Sequence, residues 1–356
     1  MTTRIYLDHA ATTPVLPEAR AAMADALARW ANPSSPHADG RAARAMLEEA
    51  RATIAKALAW SHDILLTAGA SEAIAIAAAR AKVPERIVGA TEHDVVSYAM
   101  GGRATVLSVD RRGIIDLDAL DTALAQGPAL VAVQLVNNET GVIQPAAAIS
   151  ERIRAAGSLW LADCAQGAGK IDLPDADFIA VSAHKLGGPP GVGALLVRDL
   201  ATLEPSGGQE RGYRRGTQDM AGAVAFAAAL AGGAFRQAMP RLAGLREHLS
   251  NAMRDAGGIV IAADTPCIAT IGAVALPGIS AASLLVQLDL AGFSVSAGSA
   301  CSSGSMKLSH VLAAMGIAPD IAASTIRISF GPQTSEADIN SFLAAFRAIA
   351  ERRCAA

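Results

Sequence analysis

Lysine is scarce in this chain. Of its 30 basic residues only Lys56, Lys82, Lys170, Lys185 and Lys307 are lysines, so chemistry that needs a primary amine has few candidates. Cysteine is scarce too. Cys164, Cys267, Cys301 and Cys354 show neither C-x-x-C spacing nor the density of a disulfide framework, which argues for a reducing, cytoplasmic setting. Charged residues make up 18% and the net charge is -3, so nothing suggests a nucleic-acid surface or an anionic-membrane surface. Met1 to Leu7 contain no long apolar region of a signal peptide, and alanine-rich stretches such as Ala221–Ala234 are too short to span a bilayer comfortably. Two familiar phosphate loops are missing as well. No G-x-G-x-x-G occurs, and Gly167-Ala168-Gly169-Lys170 is not a P-loop, because the first glycine would fall on Cys164 and Ile171 replaces the Ser/Thr.

What the chain does have is apolar residues, 52% over 356 positions, enough for a large core and for two domains. A helix is expected from about Pro17 to Trp30, with Ala19, Met23, Ala26, Leu27 and Trp30 on one face, and another near Arg41–Ala59 with Leu47, Ala50, Ile54 and Leu58 inward. From Ile64 to Val197 short apolar runs alternate with helical periodicity, which predicts an α/β fold with a large doubly wound, mainly parallel sheet. Past two long helices, Ala221–Ala234 and Pro240–Ala256, the pattern becomes mixed. Residues 14–248 are therefore expected to form the large α/β domain, and 1–13 plus 249–356 a smaller α+β domain. Ser335 and Asp338 are spaced to cap a terminal helix.

The stretch Phe178-Ile179-Ala180-Val181-Ser182-Ala183-His184-Lys185 reads as a buried strand that ends just before a lysine. Ligands of open α/β sheets bind at the carboxyl ends of strands, and a desolvated amine is a nucleophile. Alone, the stretch reads more readily as an ordinary surface lysine in a loop. Asp163 and Gln166 follow strand Leu159–Ala162, however, and Asn138 follows Leu130–Leu135, so three strands deliver polar groups to one edge. Thr67-Ala68-Gly69-Ala70-Ser71-Glu72 ends a strand and opens a helix, and its free N–H groups suit a phosphate; a plain turn with a serine cap is the alternative. An aspartate, a phosphate nest and a lysine are the parts that hold pyridoxal 5'-phosphate (PLP).

Several stretches together resemble the cysteine desulfurases of the class V aminotransferase family, which have the PLP-dependent transferase fold type I. They are Tyr6-Leu7-Asp8-His9-Ala10-Ala11-Thr12-Thr13-Pro14, Asn32-Pro33-Ser34-Ser35, Thr67–Glu72, Thr91-Glu92-His93, Asn137-Asn138-Glu139, Asp163-Cys164-Ala165-Gln166, Ser182–Lys185, Arg214-Arg215-Gly216-Thr217, Gly298-Ser299-Ala300-Cys301 and Arg327. They come in family order and cover nearly the whole chain. The resemblance implies that Lys185 carries the cofactor, Asp163 pairs with its ring nitrogen, and Gln166 bonds the phenolic oxygen. It implies that His93 stacks on the ring and moves protons; without the resemblance His93 reads as a helix-start histidine satisfied by a carbonyl. Ala70, Ser71, Ser182 and His184 would hold the phosphate. Thr217 would reach the phosphate of a second subunit, making a homodimer. Asn138 and Arg327 would fix the substrate, a guanidinium suiting a carboxylate through two parallel bonds.

Cys301 separates this activity from its rivals. It lies among Ser296–Ser305, a loop of small residues, where an exposed and mobile thiol is expected, whereas buried structural cysteines sit among hydrophobes. The implied reaction takes L-cysteine to alanine and leaves a persulfide on Cys301 for an acceptor protein, in iron–sulfur cluster assembly or tRNA thiolation. No resident metal, DNA or membrane partner is implied, although Cys301 would meet an iron–sulfur cluster transiently. Selenocysteine lyase, a class V aminotransferase and a scaffold that keeps PLP for structure are the rival readings. His9, Ser71, Ala73-Ile74 and Arg215 depart from what relatives often carry.

Overall fold

Seven strands make the central sheet, in the spatial order Asp63–Thr67, Gly193–Val197, Phe178–Ser182, Leu159–Asp163, Ala129–Ala132, Glu85–Gly89 and Thr105–Leu107. The structure is a computed structural model that describes residues 4–29, 31–298 and 308–355, with 353–355 given by backbone alone. The sheet is parallel as expected, save for Gly193–Val197, which runs antiparallel to both neighbours. Its reversal follows from chain length. The connection over 183–192 is too short for the crossover that a parallel return needs.

Successive strand residues face opposite ways, and both faces are covered. Ile179 and Val181 pack with Leu47, Ile54, Leu120, Ile149, Ile153 and Phe226, from the helices on one side. Phe178 and Ala180 pack with Ala73, Ile74, Ala77, Val96 and Met100, from helices Ala70–Arg80 and Asp94–Met100 on the other. A second core gathers Leu242, Leu249, Leu284, Leu288, Phe330, Phe342 and Phe346 beneath an antiparallel sheet of Thr325–Ser329, Ile271–Ala275 and Ile259–Val260. Phe342 meets Phe293 edge-on at 5.5 Å between ring centres.

Residues 5–16 join the two cores. Ile5–Tyr6 pairs in parallel with Phe293–Ser294, and Leu7 is buried in the second core. A few residues later, Thr13 and Leu16 donate their N–H groups to the carbonyls of His184 and Gly187 at 2.8 Å.

Several expected elements differ from what is seen. Helix Ala234–Asp255 carries Pro240 in its second turn, where the sequence suggested a start. The ring removes one backbone donor there, and the apolar face at Leu242, Leu245 and Leu249 sustains the helix. Leu27 is 55% exposed, because helix Pro17–Ala28 meets its neighbour through small residues, Ala19 against Ala225 and Ala229. Strand Ile259–Val260 and helices His310–Ala314 and Pro319–Ala323 are too short to leave a periodic signal. The cap before helix Glu336–Ala355 forms reciprocally: Asp338 accepts the Ser335 N–H at 2.8 Å, and Ser335 Oγ accepts the Asp338 N–H at 3.1 Å. Among the described residues no helix is long and apolar enough to cross a membrane.

Candidate active site

A cavity of about 690 Å³ opens at the carboxyl ends of the central strands, within the range of small-molecule sites. Its wall includes Ala70, Ser71, His93, Asn138, Asp163, Gln166, Ser182, His184, Lys185 and Arg327. They reach it from separate strand ends. Asp163 and Ser182 each end a strand of one parallel pair. The chain beyond Ala132 keeps pairing, through Val133 N–H to Leu161 and Leu135 N–H to Asp163, before it turns to Asn138. Asn137 fixes that turn: its Oδ1 accepts from the N–H groups of Glu139 and Thr140, both at 2.9 Å. Thr217 is exposed and does not line the cavity. Cys301 lies outside the described residues, so its relation to the cavity is not part of this geometry.

One end of the cavity is a helix start. Gly69 precedes helix Ala70–Arg80 at φ 149° and ψ -179°, a conformation open essentially to glycine. No side chain caps this helix, and Ser71 stands inside its first turn and not at the cap. The leading N–H groups therefore face the cavity with the Ser182 hydroxyl beside them; a Cβ on Gly69 would lie 3.6 Å from Ser182 Oγ. Gly193 supports the loop from below. A Cβ there would fall 2.3 Å from the Val181 carbonyl oxygen and 2.6 Å from Gly69 Cα, both backbone atoms. Gly193→Ala is expected to destabilise the fold by about 1–3 kcal/mol, as overpacking does, and to displace the loop. Denaturant unfolding checks this; an unchanged midpoint would mean that the backbone yields.

The other end carries the reactive groups. Lys185 follows the strand in a single 3-10 turn, and its Nζ donates to the carbonyls of Ala10 and, at 2.8 Å, Ala11. Gln166 Nε2 donates to the same Ala10 carbonyl at 2.9 Å, and its Oε1 is buried with no partner among the described residues. Asp163 accepts the Ala165 N–H at 2.9 Å. Burial raises its pKa, opposed by that N–H and by nearby His93 and Lys185. His93 caps helix Asp94–Met100 by accepting the Val95 N–H on Nδ1 at 3.2 Å. In the neutral ring this leaves the proton on Nε2. Burial, then Lys185 and Lys170, pull the His184 pKa down to about 4, so it is neutral at pH 7.

Arg327 forms the third wall. It donates to Asp8 Oδ1 at 2.9 Å and to the Asn138 carbonyl at 3.0 Å. Asp8 also accepts from Ser296 Oγ at 2.9 Å. Beyond the segment that holds Cys301, Ser309 donates to Glu139 at 2.6 Å and His310 Nε2 bonds the Glu92 carbonyl at 2.8 Å. Both flanks of that segment are thus fastened to the residues around the cavity.

The donor set fits PLP. Free N–H groups and hydroxyls suit a phosphate, a buried carboxylate suits a protonated ring nitrogen, an amine suits an aldehyde, and the Gln166 amide has a buried oxygen still to satisfy. Sequence reasoning passed over Glu92, Gln134 and Glu72. Glu92 is buried and accepts the Gln134 N–H at 2.8 Å, and burial holds its pKa well above the usual carboxylate range. Glu72 accepts the Ala68 N–H and grips Arg214 at 3.0 Å. The signal for both was a carboxylate inside a stretch otherwise made of small and polar residues.

Residues 5–342 match the family described as Aminotransferase class-V. The chain is 36% identical to Cysteine desulfurase 2 of Trichormus variabilis, over 98% of this chain and 93% of that one. It is 37% identical to the IscS-like cysteine desulfurase of Mycobacterium tuberculosis, over 95% and 94%. Among solved structures, a NifS-like protein superposes with a TM-score of 0.88 at 30% identity, covering 98% of this chain and all of that one. The NifS-like protein of Rickettsia africae gives 0.89 at 28% identity, over 98% and 99%.

Proposed function

This chain belongs to the class-V aminotransferase family and, within it, to the PLP-dependent cysteine desulfurases, and from that premise we propose that it takes sulfur from L-cysteine, releases L-alanine and keeps the sulfur as a persulfide on Cys301. The observation that carries this reading is the convergence of Lys185, Asp163, His93 and Arg327 on one cavity, with both flanks of the Cys301 segment tied to its rim.

Lys185, Asp163 and Gln166 hold the ring end of the cofactor, and Ala70, Ser71, Ser182 and His184 hold its phosphate. When bound, PLP supplies an electron sink next to the substrate's α-carbon. Arg327 and Asn138 fix the substrate carboxylate, which aims the α-proton at the Lys185 amine. That amine takes the proton, and His93, with its ring oriented by the Val95 N–H, passes protons at the same face. The Cys301 thiolate attacks the substrate sulfur. An S–S bond forms as the substrate's Cβ–S bond breaks, and the electron pair left on carbon ends as a C–H bond of alanine.

We further read the protein as a cytoplasmic homodimer with Thr217 reaching the partner's phosphate site; its exposure on this chain supports that reading. The acceptor is a sulfur-carrying or scaffold protein of iron–sulfur cluster assembly or tRNA thiolation. The test is a purified protein given L-cysteine. Alanine and protein-bound sulfane sulfur are expected in equal amounts, together with a change in the visible absorption. Absence of alanine would reject desulfuration; faster turnover of L-selenocysteine would move the assignment to selenocysteine lysis.

A further inference from the structure

Asp8 has no role in the chemistry above, yet it occupies a junction. Its Oδ1 takes Arg327 Nη2 at 2.9 Å and its Oδ2 takes Ser296 Oγ at 2.9 Å. The Arg327 side chain is 4% exposed and that of Asp8 17%, so this is an ion pair largely removed from water. The backbone around it has no slack. Leu7 donates to Ser294 at 2.9 Å and receives from Ser329 at 2.8 Å, and Asp8 itself bridges to Ser329. Ser296 and Arg327 exchange both backbone hydrogen bonds, at 3.2 and 2.6 Å. The Tyr6 hydroxyl donates to the Asp8 carbonyl at 3.1 Å.

A guanidinium offers five N–H groups in one plane, and its use against a carboxylate depends on where that plane points. Arg327 has two holds on its plane: the Asn138 carbonyl on Nη1 at 3.0 Å and Asp8 on Nη2. Nε is buried without a hydrogen-bond partner among the described residues, so the second N–H of each Nη is what remains to meet a ligand. We propose that Asp8 is a positioning residue for recognition of the substrate's carboxylate, setting the plane of Arg327 and locking it to Ser296. This rests on the reading that Arg327 receives that carboxylate. A pair that only joined two segments would affect every ligand of the cavity alike. A pair that aims Arg327 affects only ligands with a carboxylate.

That difference is measurable in the holoenzyme. Visible-absorption titrations with L-alanine, which has the carboxylate, and with cysteamine, which lacks it, report binding without turnover. In Asp8→Ala the Kd for L-alanine is expected to rise about tenfold, or ~1.4 kcal/mol, while that for cysteamine stays within about twofold. Asp8→Asn keeps an acceptor on Arg327 without the charge and is expected to stay within about threefold of the parent for both. Where Asp8→Ala does not fold, Ser296→Ala removes only the second anchor, and selective weakening of L-alanine is again the expected result. Equal weakening of both ligands, or none, overturns the positioning role. If Arg327→Ala leaves the parent's preference for L-alanine over cysteamine intact, the reading of Arg327 has failed instead.

Discussion

Cys301→Ser is expected to retain the cofactor's visible absorption and its response to L-cysteine, while sulfur transfer falls by roughly a hundredfold or more. A serine hydroxyl is not ionised near neutral pH and does not make a stable bond to sulfur, so the persulfide has nowhere to form. The rest of the site is untouched by the change. Lys185 keeps its carbonyl partners, and Asp163 keeps the Ala165 N–H. The fastenings on either side of the segment, Ser296 on Asp8 and Ser309 on Glu139, do not involve the thiol. The measurement is alanine and sulfane sulfur in parallel with the spectrum. Full sulfur transfer in the variant would remove Cys301 from the mechanism; loss of the spectrum would mean that it serves the cofactor site.

Lys185→Ala is expected to lose the visible band of covalently held cofactor, leaving the absorption of the free aldehyde, and to reduce turnover by about 10²–10⁴-fold, the usual weight of a positioned proton-transfer group. Among the described residues Lys185 is the only lysine in the cavity wall. Lys170 is buried over the Phe235 ring at 4.8 Å, and Lys307 lies outside the described residues. Burial, with Lys185 nearby, lowers the Lys170 pKa to about 7, but its ammonium has an aromatic face and not the cavity as its surroundings. An unchanged visible spectrum in Lys185→Ala would place the covalent link elsewhere.

Much of this was legible because buried parallel strands announce themselves. Phe178–Val181 is apolar throughout, both faces of the strand are covered by helices, and its carboxyl end at Ser182 opens on the cavity. Strand direction was less legible, since Gly193–Val197 is as apolar as its parallel neighbours, and only the short connection before it carries the information. Asp8 shows a different limit. Its motif was visible, but an aspartate in a polar turn has many local uses, and its partner Arg327 stands 319 positions away. His93 shows a third. A histidine before a helix was foreseen, but which ring nitrogen bonds, and to what, is decided by φ and ψ at the cap.

The threading of residues 5–16 between the two cores has a consequence for synthesis. These residues leave the ribosome early, yet the groups they serve, Gln166, Lys185, Phe293 and Arg327, are made much later, the last of them after most of the chain. The central sheet can assemble while translation continues, because its strands all precede residue 198. The Ala10 and Ala11 carbonyls cannot be seated until the late strand Thr325–Ser329 gives Leu7 and Asp8 a place to lie. A nascent chain stalled before Thr325 would therefore have its large sheet but not yet the two carbonyls that receive the Lys185 amine in the finished fold.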